Sequence, residues 1–447
     1  MASLIKRLPD NIKNLAKTNP AAIRYIMDGL LAVSAVNIAS SNYGLFAVRL
    51  CADDFQLSLV HFLPHFFTLL VLIPGGLFMD SLSNKKRIVI VMMLVVMAGY
   101  SLCAVSPFAG FYSIQFFLGS LALTGSAVAL YNIAWQSFFP GVVTVNTRNR
   151  VLTLRTRVTL IISMIMPLLV GVILTNIKNN NNKIIAHQAF FISAVFLLFL
   201  AIFNFKRIRR IRKSAPDTAA QSAVLQNTEA PKQIKLSEIK NAWFRLIKNK
   251  KFILFTVTAL FFHMTWHFDW TLYFIGQVNY LKMNELQLGL VNLGAALIQL
   301  LTLKFWSRKN ERLGVAPPFT FGILGLSLCP VFLTVSVSLP LSLGPHLFII
   351  LHTIAHIPFC TITLNLYQNI LLAVNEEKNV SFYISVFASL LCLSNAVMPV
   401  AGVALYHSLG GDLNGFKFTL MIIFILRIFA AFLWFLWWKR GSRAVKG

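Results

Sequence analysis

The sequence predicts an all-α polytopic membrane protein with twelve spanning helices in two pseudo-symmetric six-helix bundles and both termini cytoplasmic. Three observations carry that expectation: a series of long apolar runs, a one-sided distribution of basic residues, and an internal repeat. Of 447 residues, 57% are hydrophobic and only 12% charged, where soluble domains carry roughly a quarter charged residues. This composition excludes a soluble enzyme, a disordered chain and a disulfide scaffold.

Dividing the chain at its charges leaves twelve runs near the ~20 residues that cross a hydrocarbon core as a helix. They fall at 25–47, 57–79, 87–106, 111–136, 157–177, 187–205, 252–277, 286–305, 317–337, 346–370, 382–407 and 416–438. Pro, Gly and Asn interrupt several of them, as membrane helices tolerate when neighbouring groups satisfy the freed backbone. The alternating pattern of a β-barrel is absent. Lys and Arg number 40 against 14 Asp and Glu, a net charge of +26. In alternate connections, beginning with the N-terminal tail, 33 of the 40 fall on one side and only Arg49, Lys178, Lys183, Lys282 and Lys417 on the other. The positive-inside rule then places both termini and the middle segment in the cytoplasm. The basic excess is a topology signal, and nucleic acid is not needed to explain it.

The first twenty residues are polar and basic, without an apolar core or small-residue cleavage site, so the first span is expected to act as its own insertion signal. Cys51, Cys103, Cys329, Cys360 and Cys392 are scattered without CxxC spacing. They read as packing residues, with no zinc knuckle or disulfide framework. The middle segment opens with KRIRRIRK at 206–213, continues as a Ser/Ala/Gln/Thr stretch to about 231, and ends in LSEIKNAWFRLIKNKK at 236–251. That is a basic stop, a flexible linker and an amphipathic helix on the cytoplasmic membrane face.

Three matches at nearly one offset make this segment a divider. Asp80 aligns with Glu311 at 231 residues, Asn132 of NIAWQ with Asn365 of NLYQ at 233, Met166 and Pro167 with Met398 and Pro399 at 232, and Gly171 with Gly402 at 231. The expected organisation is a first bundle over 1–205, a linker over 206–251 and a second bundle over 252–447.

With these residues in view, the whole chain resembles the major facilitator superfamily. That family's loop between helices two and three carries G-x-x-x-D-[RK]-x-G-[RK]-[RK]. Here Gly76 and Asp80 match, the basic positions shift to Lys85, Lys86 and Arg87, and Ser81 and Ser83 replace a basic residue and the glycine. In the second half Glu311, Arg312 and Gly314 match the D-R-x-G portion with Glu for Asp. The resemblance implies alternating access, two bundles rocking about a central site. Gly76, Asp80, Lys85, Arg87, Glu311 and Arg312 are then expected to form a cytoplasmic gate, in which a carboxylate pairs with cationic groups or a helix N-terminus. A plain topology signal is the other reading.

Charges inside spans are costly, roughly 2.5–3.5 kcal/mol each on insertion scales, so the few that occur are candidate coupling groups. Asp28 lies one turn inside the first span, four residues after Arg24, either as a local ion pair or as a proton site. Asp269, in the seventh span, is the preferred protonatable carboxylate, with Arg427 as counter-charge, substrate anchor or structural group. His61 and His65, His263 and His267, and His352 and His356 form three i,i+4 pairs, each on one helical face. They suit hydrogen bonding between helices, a proton relay or metal binding. Trp266, Trp270 and Tyr273 form an aromatic stripe, read as core packing or as a cavity wall for cations, sugars or planar solutes. Asn37, Gln115, Asn365, Asn369 and Asn395 add hydrogen-bonding capacity.

No HExxH, GxSxG or P-loop spacing supports an enzyme, and two equivalent halves fit a carrier better than a channel. The sequence thus points to a secondary active transporter of a small organic solute. It is expected to be proton-coupled, monomeric, free of cofactors and multi-pass in the cytoplasmic (inner) membrane. The alternatives are a metal or metal-chelate transporter using the histidine pairs, and a non-transporting sensor on the same fold.

Overall fold

The computed structural model describes residues 20–444 apart from positions 42, 82–84, 139–141, 143–144, 209–242, 315, 363–365, 367–368, 371–372 and 374–379. The first half contains α1 (Pro20–Ser40), α2 (Tyr43–Arg49), α3 (Asp54–Ser81), α4 (Lys85–Val105), α5 (Ser113–Phe138), α6 (Val145–Thr175) and α7 (Asn180–Lys206). The second contains α8 (Lys250–His267), α9 (Trp270–Ile275), α10 (Glu285–Leu313), α11 (Ala316–Val337), α12 (Gly344–Ala355), α13 (Val380–Ser408) and α14 (Leu413–Ala444). Ten stretches of the described residues are long and apolar enough to cross a membrane, and one of them, Lys86–Asn132, takes in most of both α4 and α5. Positions 209–242 of the linker lie outside the described residues, and the rest of its expected amphipathic helix is helical over 243–248.

Helices begin where side chains can take the free backbone N–H groups. Asn179 caps α7 through Asn181 N at 2.8 Å, Asn249 caps α8 through Phe252 N at 2.9 Å, and Asn284 with Gln287 forms a capping box on α10. Several helices outrun the apolar windows. The α6 helix starts at Val145 rather than 157, and α10 continues to Leu313 rather than 305. A hydropathy window stops at the first cluster of charges, whereas Arg and Lys are good helix formers and carry the helix past the bilayer.

In the first half α1 packs on α6 and α7, α5 on α3 and α4, and α4 on α7. In the second, α8 packs on α13 and α14, α11 on α12 and α14, and α10 on α12. The halves meet through α3 with α13 and α6 with α10. The offset of the internal repeat relates α3 to α10 and α6 to α13, so it exchanges these two contacts. Edge-on rings of Phe46, Phe117 and Phe191 fill the first half. Trp434, fully buried against Phe255 and Phe319, fills the second. Outward, α7 presents Ile192, Phe196, Phe199 and Phe203, each more than half exposed, an apolar surface suited to lipid.

The expected continuous helix at 252–277 is broken. The α8 helix ends at His267, Phe268 and Asp269 form a turn, α9 restarts with Tyr273 N bonded to Asp269 O at 2.7 Å, and a π-turn comes next at Gly276–Tyr280. Neither Pro nor Gly occurs at the break, so its cause is tertiary. The Arg427 side chain donates to the carbonyls of Thr265 and Trp266 at 3.3 and 3.1 Å, taking acceptors that an unbroken helix would use itself. Gly402 lets α13 approach the Phe268 carbonyl, and a Cβ there would fall 2.0 Å from that oxygen.

Gly402→Ala is therefore expected to destabilise the fold by about 1–3 kcal/mol, the usual range for overpacking, read as a lowered Tm in detergent. Gly119→Ala, where an added Cβ meets nothing within 4 Å, is the matched control and should leave Tm unchanged or slightly raised.

Candidate functional site

A cavity of about 210 Å³ lies between the halves, bordered by the end of α1, α3, α6, the α9 to π-turn segment and α10. Besides Tyr43, its polar lining is Ser40, Ser41, His61, Thr271, Gln277 and Asn292, set among apolar residues such as Phe274 and Leu288. No Asp, Glu, Lys or Arg is among the described residues that line it. The volume is below the roughly 300–1,000 Å³ of drug-sized ligand sites, and the chemistry is that of neutral hydrogen bonding. His61 belongs to the sequence candidates. The other five polar residues are ordinary Ser, Thr, Gln and Asn whose role depends on position alone, and the sequence offered no signal for them.

At the end of the molecule remote from the termini, ion pairs join the halves. Glu285, at the start of α10, accepts from Arg49 of α2 and from Lys183 Nζ of α7 at 2.6 Å, and Arg49 also contacts His187. The Arg49 and Glu285 side chains are only 8% exposed. His407 of α13 stands 3.4 Å from Asp54 of α3. Among the described residues, the ion pairs that cross between the halves all lie at this end. The gate candidates lie elsewhere. Glu311 and Arg312 are exposed at the end of α10, and Arg87 is exposed in the first turn of α4. Gly76 lies within α3, and the side chains of Asp80 and Lys85 lie outside the described part.

Asp28 does not pair with Arg24, whose guanidinium bonds the Arg207 carbonyl instead. It is fully buried and its Oδ2 accepts from Tyr131 Oη at 3.2 Å and Trp135 Nε1 at 3.1 Å. Its Oδ1 has no hydrogen-bond partner. The neighbouring cation is Arg155 of α6, stacked 3.6 Å from the Trp135 ring centroid and 5.5 Å from that of Tyr25. Asp28 is twelve residues, about 18 Å of helix, from the cavity residue Ser40.

Asp269 and Arg427 form a buried ion pair of 2.7 Å. Besides the two carbonyls at the break, Arg427 donates to Leu326 O of α11 at 2.8 Å. Arg427 is thus the counter-charge of Asp269 and braces three helices, and neither residue lines the cavity.

The histidine pairs part company. His61 and His65 face Trp270 across the interface, with ring centroids 5.7 and 6.4 Å away. His267 Nδ1 is 2.9 Å from Ser394 Oγ, and His263 is buried with neither ring nitrogen hydrogen-bonded. His352 and His356 gather with Cys329 into a group whose potential ligand atoms lie within 4.8 Å of one another. Cys329, read from sequence as packing, lies too far along the chain from the pair for any motif to have joined them. The aromatic stripe divides at the break. Trp266 packs on Phe262 and Phe359, Trp270 reaches the first half, and Tyr273 turns toward Phe348 and His352. Asn37 bonds Val33 O and Ser163 Oγ, Gln115 is exposed near the start of α5, and Asn369 and Asn395 are inside the second half. Asn365 lies outside the described residues.

Two helical bundles meeting around an interfacial cavity, closed at one end by ion pairs, define a membrane carrier fold. The family model of the Major Facilitator Superfamily matches residues 21–371, and the chain belongs to that superfamily. The fold is similar to a bacterial homologue of the iron transporter ferroportin in an inward-facing state, with a TM-score of 0.71 and 11% identity over 94% of this chain and 98% of that one. It is similar to a nucleoside transporter, with a TM-score of 0.65 and 13% identity over 94% and 99% of the two chains. It also resembles a D-xylose-proton symporter, with a TM-score of 0.65 and 12% identity over 92% and 96%. Comparison with curated protein sequences finds no match.

Asp269→Asn is expected to cost about 3–5 kcal/mol, because it strands the buried Arg427 charge. Asp269→Asn combined with Arg427→Met should recover part of that loss. Unfolding midpoints of the single and double variants check both expectations.

Proposed function

We propose that this protein is a twelve-helix, monomeric secondary transporter of the cytoplasmic membrane that moves a small, uncharged organic solute by alternating access, coupled to protons. The observation that carries this reading is the cavity between the halves, lined from both by uncharged hydrogen-bonding groups. Twelve spans result if α4 and α5 cross separately and the broken α8 to π-turn segment crosses as one. The positive-inside rule orients the termini toward the cytoplasm. The Arg49, Lys183 and Glu285 cluster then closes the outer side, and the arrangement faces inward. The opposing latch, formed when the inside closes, falls to Asp80, Lys85, Arg87, Glu311 and Arg312.

Asp28 is the favoured proton site. Its Oδ1 is free to take a proton, whereas the charge of Asp269 is already matched by Arg427. Protonation of Asp28 would release the field that it exerts on Arg155 of α6, the helix that also packs on α10 of the other half. Proton binding in the first half and contact between the halves thus share one helix.

A thermal-shift screen of sugars, nucleosides and amino acids on the purified protein identifies the solute, and counterflow of that solute in proteoliposomes then tests the site. Gln277→Ala and Asn292→Ala should each raise the half-saturating concentration about 5-fold, one hydrogen bond of ~1 kcal/mol. Unchanged values for both would remove the cavity from the reading. Asp28→Asn should abolish uphill accumulation driven by a pH gradient while sparing counterflow, and preserved accumulation would exclude Asp28 as the coupling group. Glu285→Gln should loosen the outer closure. In a Cys51→Ser background, a cysteine introduced at Ser41 should then react faster with an impermeant maleimide added outside.

A further inference from the structure

We propose that Cys329, His352 and His356 form a binding site for a borderline-soft divalent metal ion of the zinc class, inside the second half and separate from the solute cavity. The potential ligand atoms, one thiol sulfur and one nitrogen from each imidazole, all lie within 4.8 Å of one another. Ligands of a tetrahedral zinc ion, at about 2.0–2.3 Å from the metal, stand roughly 3.3–3.8 Å apart. The three side chains therefore have to draw in by about 1 Å, within reach of a small rotamer adjustment.

Three features mark the group as a built site. His356 Nδ1 lies 2.8 Å from the backbone carbonyl of His352. A carbonyl can only accept, so Nδ1 carries the proton and Nε2 keeps its lone pair, the arrangement by which a second bond orients a metal-ligating imidazole. His352 Nδ1 is buried without a hydrogen-bond partner, an uncompensated polar atom that a metal ion would satisfy. The Tyr273 hydroxyl, also without a partner, adjoins the Cys329 thiol and is placed to donate to its thiolate. The backbones are brought together by Gly325, where a Cβ would fall 2.7 Å from Ala355 O of α12, one turn of α11 before Cys329.

The charge and donor set select the ion. Arg427 is the nearby cation for both Cys329 and His356, and Asp269 neutralises it at 2.7 Å. The thiolate can therefore serve an incoming metal. One thiolate with two imidazoles favours Zn(II) or Co(II), whereas Mg(II) and Ca(II) take oxygen ligands. Three protein ligands leave the fourth position open. The site draws on α9, α11 and α12 and shares no residue with the cavity lining. A bound ion would tie these three helices within one half. Metal binding here does not rest on the transport reading.

Co(II) titration of the purified full-length protein tests it. The expected result is one Co(II) per chain, with a near-ultraviolet thiolate-to-cobalt charge-transfer band and tetrahedral d–d bands, displaced by Zn(II). Cys329→Ser should abolish the charge-transfer band, and His352→Gln or His356→Gln should weaken binding by at least about 10–100-fold, the loss known even for outer partners of metal ligands. Cys51→Ser, which removes the exposed thiol, should change nothing. A charge-transfer band that survives Cys329→Ser, or no saturable binding to the unaltered chain, overturns the proposal. Because Cys329→Ser could perturb folding, X-ray absorption of the Zn(II)-loaded unaltered protein supplies the second test. One sulfur with two imidazole nitrogens supports the site, and a shell without sulfur refutes it.

Discussion

The break between His267 and Trp270 is the constraint on which the second half depends. In hydrocarbon no water can satisfy a freed carbonyl, so an interrupted helix needs partners from its neighbours. Arg427 provides them by donating to Thr265 and Trp266. A guanidinium buried for that purpose needs a counter-charge, and Asp269 supplies it from the break itself. The turn then re-aims the side chains of α9. Thr271 faces the cavity, Trp270 meets the histidines of α3, and Tyr273 points to Cys329 and His352. The break thus places Thr271 at the cavity and Tyr273 beside His352, while Cys329 and the histidines are brought together by the packing of α11 on α12.

The repeat shows why the first half has no break at the matching position. At the common offset of 232, Asn37 stands opposite Asp269 and Val195 opposite Arg427. Asn37 spends its amide on Val33 O and Ser163, and α1 runs through it to Ser40. Without the ion pair nothing competes for the helix carbonyls. In the other direction Asp28 corresponds to Leu260 and Arg155 to Phe387. Among the described residues, each half therefore holds within itself a buried carboxylate near a cation, at positions where the other half is uncharged, whereas Glu285 pairs across the interface. Twofold architecture persists while the chemistry is divided, one charge centre per half.

Much of the fold was legible because bilayer thickness is a local length constraint and loop charge is a local count. The spans, the divided halves and the repeat needed no knowledge of contacts. What escaped depends on distant residues. The break is caused by Arg427, about 160 positions beyond it, and the stretch around Asp269 shows no helix breaker. The i,i+4 spacing of Arg24 and Asp28 suggested a pair, yet Arg24 turns to Arg207 while Tyr131 and Trp135 arrive from α5. The histidine pairs were visible as patterns, but only the packing of α11 on α12 distinguishes the pair with a cysteine opposite. Glu285 was visible only as an acid at a span end, because its partners Arg49 and Lys183 lie in separate connections of the other half.

The two principal ion-pair clusters differ in their place relative to the interface between the halves. The cluster at Glu285 joins the halves at the end remote from the termini. In the proposed opening each of its ions would regain hydration, so parting the pair would strand no buried charge. The contact is therefore reversible. Asp269 and Arg427 lie within one half, at most 2% exposed, where breaking the pair would leave a charge in an apolar interior. On the proposed alternating-access reading, ionic contacts thus divide by hydration: those that water could replace on opening span the interface between the halves, and the Asp269–Arg427 pair lies within one half.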